Sequence, residues 1–295
     1  MSCSHPSVAV VGATGVVGTE LIACLERRRF PLRRLRLFAS GRSAGRTLPY
    51  RGEALPVEAL AEQAPADVGI ALFCAGSAVS HRLVPPAVDR GTVVIDNSSA
   101  FRMDGAVPLV VPEVNADVIG TQRGVIANPN CVAIIAVVPL WPLHRAFRIR
   151  RIIASTYQAA CGAGAAAMKE LRLSTRAALA GEAFRPQVLR AHAVALTVEF
   201  ERAITPEAAR ELLARAPGVR VVDDIAANHF PMPIEASGQG EVLVGRIRRD
   251  SSDSSDASGH SLALFLAGDQ LLKDAALNAV QIAERLLEPQ GKSAA

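Results

Sequence analysis

The sequence predicts an α/β protein in two parts: a parallel sheet wound with helices, then an α+β part with an open mixed sheet. Three observations carry this. Short β-branched runs alternate with helical stretches over the first part of the chain. A glycine-rich turn joins the first run to the first helical stretch. After Cys131 the strands outnumber the helices. With 295 residues the chain is too long for one small core and suits two domains or one large α/β unit.

The first strand is Ser7-Val8-Ala9-Val10-Val11, apolar and β-branched, hence buried. Gly12-Ala13-Thr14-Gly15-Val16-Val17-Gly18 follows. A helix over 20–28 then puts Leu21, Ile22 and Leu25 on one face. Strand, glycine-rich turn and helix form the setting of a dinucleotide-binding, Rossmann-type motif. The glycines let the backbone approach a pyrophosphate, and the helix N–H groups face it. Gly12, Thr14, Gly15, Val16 and Val17 are the candidate contacts. The second strand, 35–39, ends in Ser40-Gly41-Arg42-Ser43. An NAD-selective site carries an acidic residue here for the ribose 2′-OH, and none occurs between Glu26 and Glu53. A guanidinium with two hydroxyls suits a 2′-phosphate, so Ser40, Arg42 and Ser43 point to NADP. The alternative is a polar hairpin loop.

A third strand, 67–75, ends in Gly76-Ser77, and a helix covers 79–90. The strand 92–96 runs into Asn97-Ser98-Ser99-Ala100-Phe101-Arg102. Loops at the C-terminal ends of parallel strands line the ligand crevice, which places Cys74, Ser98 and Arg102 at that edge. Cys74 reads as core. Arg102 reads as a surface charge or as an anion contact.

Asn128-Pro129-Asn130-Cys131 is a turn that opens an apolar run over 132–143. A helix started here holds the thiol at its N-terminus, where unpaired N–H groups and the macrodipole favour a thiolate. The same residues also suit a buried cysteine at a strand-to-helix corner. Strands are expected at 150–158, 193–201, 219–223, 241–248 and 262–267. Cys161-Gly162-Ala163-Gly164 opens a helix to about 179. Thr205-Pro206-Glu207 starts another, over 205–214, with an N-cap and Pro at N1. The Ser/Asp-rich 250–260 is a loop, and 273–287 is an amphipathic helix.

Hydrophobic residues make up 50% and charged residues 20%, which excludes a disordered chain. The net charge of +4 comes without a Lys/Arg run interleaved with aromatics, so a nucleic-acid partner is not expected and small anionic substrates fit better. The five cysteines are odd in number and lack a CxxC pattern, which argues against a disulfide framework or a metal site. With neither a signal-peptide pattern nor a membrane-length apolar run, a soluble cytoplasmic protein is expected.

The Gly12–Gly18 turn, Asp96-Asn97-Ser98-Ser99-Ala100-Phe101-Arg102, Val111-Pro112-Glu113-Val114-Asn115, Asn128-Pro129-Asn130-Cys131, Ser155-Thr156-Tyr157-Gln158 and Ala275-Ala276-Leu277-Asn278-Ala279-Val280-Gln281 occur in this order. The set resembles the aspartate-semialdehyde dehydrogenase family. Asn-Pro-Asn-Cys distinguishes it from the related N-acetyl-glutamyl-phosphate reductases, which carry glycine before the nucleophile. The resemblance implies NADPH-dependent conversion of L-aspartyl phosphate to aspartate semialdehyde, a step towards lysine, threonine, methionine and isoleucine. It implies that Cys131 is the nucleophile carrying a thioester, His192 the general acid/base and Gln158 the residue that positions substrate. Arg102 matches the phosphate-binding arginine and Arg185 the arginine for the substrate carboxylate. Arg42, Ser43, Ser98, Cys161, Gly162 and Gln270 match cofactor contacts.

The resemblance also implies a domain plan. Residues 1–130 form the NADP-binding domain, completed by a C-terminal helix at 268–290. Residues 131–267 form the catalytic and dimerisation domain. The interval between Gln158 and His192 is less than half the family's length, so the second domain is shortened between about 180 and 190. The missing stretch holds a substrate-binding Glu and Lys and part of a subunit contact. A homodimer with a reduced interface is expected. The competing reading is a nucleotide-binding paralogue or partner subunit with impaired catalysis.

Overall fold

The computed structural model describes residues 5–60, 66–179, 188–250 and 259–288. The chain divides into two compact units. One comprises Met1–Asn130 with Ala275–Ala295, and the other Cys131–Asp274. The architecture is the two-part α/β fold expected, with one mostly parallel sheet and one mixed sheet.

In the first unit, β1 (Ser7–Val11) leads into α1 (Val16–Arg27), then β2 (Arg34–Ala39), β3 (Thr47–Tyr50), β4 (Glu53–Ala59) and β5 (Ile70–Phe73). Next come α2 (Ser77–Val88), β6 (Val93–Asp96), α3 (Pro112–Asn115) and β7 (Val125–Ala127). The sheet order is β3-β4-β2-β1-β5-β6-β7, parallel except where β3 meets β4. The chain leaves β1 towards β2 and later returns to its other side with β5. That reversal is the switch point at which parallel sheets open a ligand crevice, and the glycine-rich turn sits on it. Val8, Ala9, Val10 and Val11 are fully buried, as strands covered on both faces must be.

The β3–β4 hairpin was not foreseen. Pro49 and Pro56 argue against strands, but Pro49 lies in β3, the edge of this sheet, and Pro56 precedes Val57–Ala59, the part of β4 that pairs with β2. The signal lay in Arg51-Gly52. Both residues take positive φ, 50° and 81°, the two-residue turn that closes hairpins.

The second unit holds α4 (Cys131–Phe147), β8 (Ile149–Tyr157), α5 (Ala165–Leu179), β9 (His192–Phe200), α6 (Pro206–Ala214) and β10 (Val219–Val221). It ends with α7 (Pro233–Ala236), β11 (Val242–Arg249) and β12 (Ser261–Gly268). The sheet order is β10-β11-β12-β9-β8, antiparallel but for the β10/β11 pair. Helix α4 buries Ile134, Ile135, Val138, Leu140 and Leu143, each contributing about 1.5–3 kcal/mol relative to exposure. Thr205 caps α6 by accepting the Ala208 N–H, with Pro206 at the first helical position, as its sequence predicts.

Two helix expectations need correction. Residues 160–163 form a separate 3₁₀ turn, and Gly164 at φ 88° breaks the chain before α5 begins. Over 272–277 the chain is π-helical, and the α-helix α8 (Asn278–Leu287) follows. Lys273 and Asp274 are buried, so the amphipathic pattern starts later than its periodicity suggests. Among the described residues no helix is long and apolar enough to cross a membrane.

The glycine-rich turn depends on missing side chains. Gly12 has φ 98°, and a Cβ there would lie 2.9 Å from the Cys74 backbone. A Cβ on Gly18 would lie 2.2 Å from the Gly12 carbonyl oxygen, so only glycine lets α1 pack this closely. Gly18→Ala is expected to lower stability by about 1–3 kcal/mol through overpacking. Urea unfolding of wild type and variant measures this.

Candidate active site

Cys131 is the first residue of α4. Asn128, at the end of the first unit, is buried. Its N–H donates to the Asp96 carbonyl at 2.8 Å. Its carbonyl accepts from Arg102 Nε at 2.9 Å, and its side-chain oxygen accepts from Asn278 Nδ2 at 2.6 Å. At the start of a helix whose first N–H groups lack intrahelical partners, the sulfur lies where negative charge is favoured.

His192 opens β9 and is fully buried. Its Nε2 lies 3.4 Å from Cys131 Sγ. Strand register produces this pairing. His192 stands opposite Gly268 on β12, and Ala193 stands opposite Tyr157 on β8. The chain leaving β8 therefore passes beside the ring. Ala159 N–H donates to His192 Nδ1 at 2.9 Å, and Gln158 Nε2 lies 4.0 Å from Cys131 Sγ. Gly162 covers the ring so closely that a Cβ there would sit 3.2 Å from His192 Cε1. Burial lowers the His192 pKa from 6.5 to about 4, opposed in part by the negative charge of Asp269.

A buried network supports the histidine. Asp269 is fully buried and accepts from Arg190 Nε at 2.7 Å, Gly238 N at 2.6 Å and Leu271 N at 3.0 Å. Ala191, next to His192, has φ 71°, a strained value for a residue with a Cβ. Its N–H is held by Gln270 Oε1 at 2.8 Å, while Gln270 Nε2 donates to Cys161 Sγ. Cys161 and Gln270, read from the sequence as cofactor contacts, are thus buried against each other behind the histidine. Sequence reasoning missed Ala159, whose contribution is a backbone N–H that no side-chain motif encodes. It also missed Asp269, whose only signal was a carboxylate next to Gln270 at a strand end.

In the first unit, Thr14 Oγ1 donates to Ser43 Oγ at 3.3 Å, joining the glycine-rich turn to the 3₁₀ turn that carries exposed Arg42. Helix α1 has Gly15 at its N-cap and no side chain bonded there, which leaves its N-terminus fit for a phosphate. Ser98 is buried with its hydroxyl donated to Asp96 Oδ2 at 2.6 Å, so it shapes the loop after β6. Arg102 Nη2 donates to the Asn97 carbonyl at 2.8 Å. The predicted Arg185 lies outside the described residues.

Residues 7–122 match the family model described as semialdehyde dehydrogenase, NAD binding domain. Residues 140–191 and 181–273 match the semialdehyde dehydrogenase dimerisation domain in two overlapping pieces. An aspartate-semialdehyde dehydrogenase from Synechocystis sp. is 42% identical over 95% of this chain and 97% of its own length. This chain belongs to the aspartate-semialdehyde dehydrogenase family. A Bacillus subtilis relative of the same name is 37% identical over 95% of this chain and 96% of its own. A solved Vibrio cholerae aspartate semialdehyde dehydrogenase II, complexed with ASA, superposes with TM-score 0.90 at 34% identity, covering 98% of this chain and all of that one.

The Synechocystis alignment spans 333 positions against a chain of 295 residues, so at least 38 of them (333 less 295) face no residue here. The chain carries a nicotinamide-dinucleotide-binding domain and a dimerisation domain.

The buried histidine makes stability depend on pH. An unfolded His192 takes up a proton near 6.5, whereas the folded ring resists until about 4. Its stabilising contribution is full above the unfolded value and is lost as pH falls through that window. The loss is on the order of 2–3 kcal/mol. Urea midpoints at about pH 7.5 and about pH 5 are expected to diverge less in His192→Gln than in wild type.

Proposed function

We propose that this chain catalyses the NADP-dependent, reversible reductive dephosphorylation of L-aspartyl 4-phosphate to L-aspartate 4-semialdehyde through a thioester on Cys131. The observation that carries it is the 3.4 Å approach of His192 Nε2 to a sulfur at a helix N-terminus. A thiolate there attacks the acyl carbon, the C–O bond to phosphate breaks, and the acyl group rests on sulfur in an activated form. A bound nicotinamide supplies the hydride. Gln158 orients the acyl group beside the sulfur. Arg102, its guanidinium oriented by the carbonyls of Asn97 and Asn128, meets the phosphate. Arg185 takes the substrate carboxylate. His192 serves as the general acid/base for the thiol and for the carbonyl oxygen.

In the first unit, Gly12, Thr14, Gly15, Val16 and Val17 receive the pyrophosphate at the start of α1. Ser40, Arg42 and Ser43 take the 2′-phosphate that selects NADP. Ser98, and in the second unit Cys161, Gly162 and Gln270, are the remaining cofactor contacts of this reading. The dimerisation-domain match supports a homodimer, and cysteines outside any disulfide among the described residues suit a reducing cytoplasm. The intact Cys131, His192 and Gln158 cluster speaks against the catalytically impaired reading.

A phosphate-dependent NADPH-forming assay with aspartate semialdehyde tests the reaction. Cys131→Ala is expected to lower turnover by more than about 10³-fold. Activity retained without the sulfur would refute the thioester. The cofactor choice is tested by kcat/KM with NADP and with NAD. Arg42→Ala is expected to raise the KM for NADP about 10–100-fold, as loss of one charge-assisted contact does. Its KM for NAD should stay unchanged.

A further inference from the structure

We propose that Asp96, a buried carboxylate at the end of β6, is the positioning residue for Arg102 and so sets the affinity for phosphate. This rests on the reading above, in which Arg102 meets the phosphate, and names what holds that arginine in place.

Asp96 is the last residue of β6 and is fully buried. A buried carboxylate costs stability unless its oxygens are met. Here three donors meet it. Ser80 Oγ of α2 donates to Oδ1 at 2.7 Å, the Ser98 N–H donates to Oδ1 at 3.2 Å, and Ser98 Oγ donates to Oδ2 at 2.6 Å. Two of the three come from Ser98, in the loop that leads to Arg102. An ionised carboxylate only accepts, so the Ser98 hydroxyl must give its proton to Oδ2. Its lone pairs then face the Ala100 N–H, which donates to Ser98 Oγ at 3.1 Å. The start of the loop is thereby tied to the strand end.

The same strand end supplies the seat of Arg102. Arg102 Nη2 donates to the Asn97 carbonyl at 2.8 Å, and Nε donates to the Asn128 carbonyl at 2.9 Å. Asn97 directly follows Asp96, and its N–H donates to the Phe73 carbonyl at 2.9 Å. The Asn128 N–H donates to the Asp96 carbonyl at 2.8 Å. Both acceptors of the guanidinium thus hang on Asp96. One does so along the chain, the other through the β6–β7 ladder, where Asp96 stands opposite Ala127. Carbonyls orient a guanidinium plane without cancelling its charge.

An amide cannot replace this carboxylate. An asparagine at position 96 with its nitrogen in the place of Oδ1 sets a donor against the Ser98 N–H. Turned the other way, it donates to Ser98 Oγ and drives the hydroxyl proton towards the Ala100 N–H. Either orientation breaks a bond that holds the loop. Ser80 differs, because its hydroxyl ties the same carboxylate to α2 rather than to the loop.

Steady-state kinetics in the NADPH-forming direction test the inference, with aspartate semialdehyde as substrate and inorganic phosphate varied. In Asp96→Asn the KM for phosphate is expected to rise about 10–100-fold, as displacement of a positioned group does. Its KM for NADP, taken at saturating phosphate, is expected to change less than about threefold. Ser80→Ala is expected to keep the KM for phosphate within about threefold of wild type. An unchanged KM for phosphate in Asp96→Asn overturns the inference. So does an equal rise in Ser80→Ala, or a matching rise in the KM for NADP, because either marks a general loosening of the sheet edge. Should Asp96→Asn lack a cooperative unfolding transition, Ser98→Ala breaks the same link from the loop side. A wild-type KM for phosphate in that variant, at saturating NADP, overturns the inference. Arg102→Ala separates the inference from the reading beneath it. If Arg102→Ala leaves the KM for phosphate unchanged, the assignment of phosphate to Arg102 falls, and this inference with it. If Arg102→Ala raises that KM and Asp96→Asn does not, only the present inference falls.

Discussion

The catalytic unit depends on one close approach. Gly268, at the end of β12, has no Cβ, and Ile135 of α4 occupies the space where one would lie, 2.8 Å away. Ile135 is one helical turn beyond Cys131, and Gly268 is the register partner of His192. The same contact that seats the helix on the sheet thus sets sulfur and imidazole within reach. A side chain at position 268 would lift the helix and separate the pair. The pairing is accordingly a property of the core and not of a loop.

Behind this contact the structure accepts local strain in return for rigidity. Ala191 is left-handed, His192 is buried, and Asp269 is an enclosed carboxylate. Each is tolerated because its polar groups are met: Ala191 by Gln270, His192 by Ala159, Asp269 by Arg190 and backbone N–H groups. Buried polar groups are stable only when satisfied, and once satisfied they hold a single arrangement. The ring is then held in one orientation beside the sulfur.

The strand that ends just before Gln158 and the strand that starts at His192 are paired along their length. The connection between antiparallel neighbours does not set their register, because register is fixed by the ladder and by the pattern of buried side chains. The places of the histidine and of the residues that follow β8 are therefore set by the sheet.

The sequence by itself determined the succession of strands and helices, the glycine-rich turn, the cysteine at a helix start and the turn at Ser40–Ser43 after the second strand. These are local properties: periodicity, turn chemistry and steric exclusion act over a few residues. It did not reveal the Arg51-Gly52 hairpin, because its two prolines hid it. Nor did it reveal the π-helical entry to α8, where burial of Lys273 and Asp274 overrides periodicity. Only the tertiary structure decided what faces His192. Residues 131, 159, 192 and 268 are far apart in sequence and meet through β-ladder register and helix-on-sheet packing, and one of them contributes only a main-chain N–H.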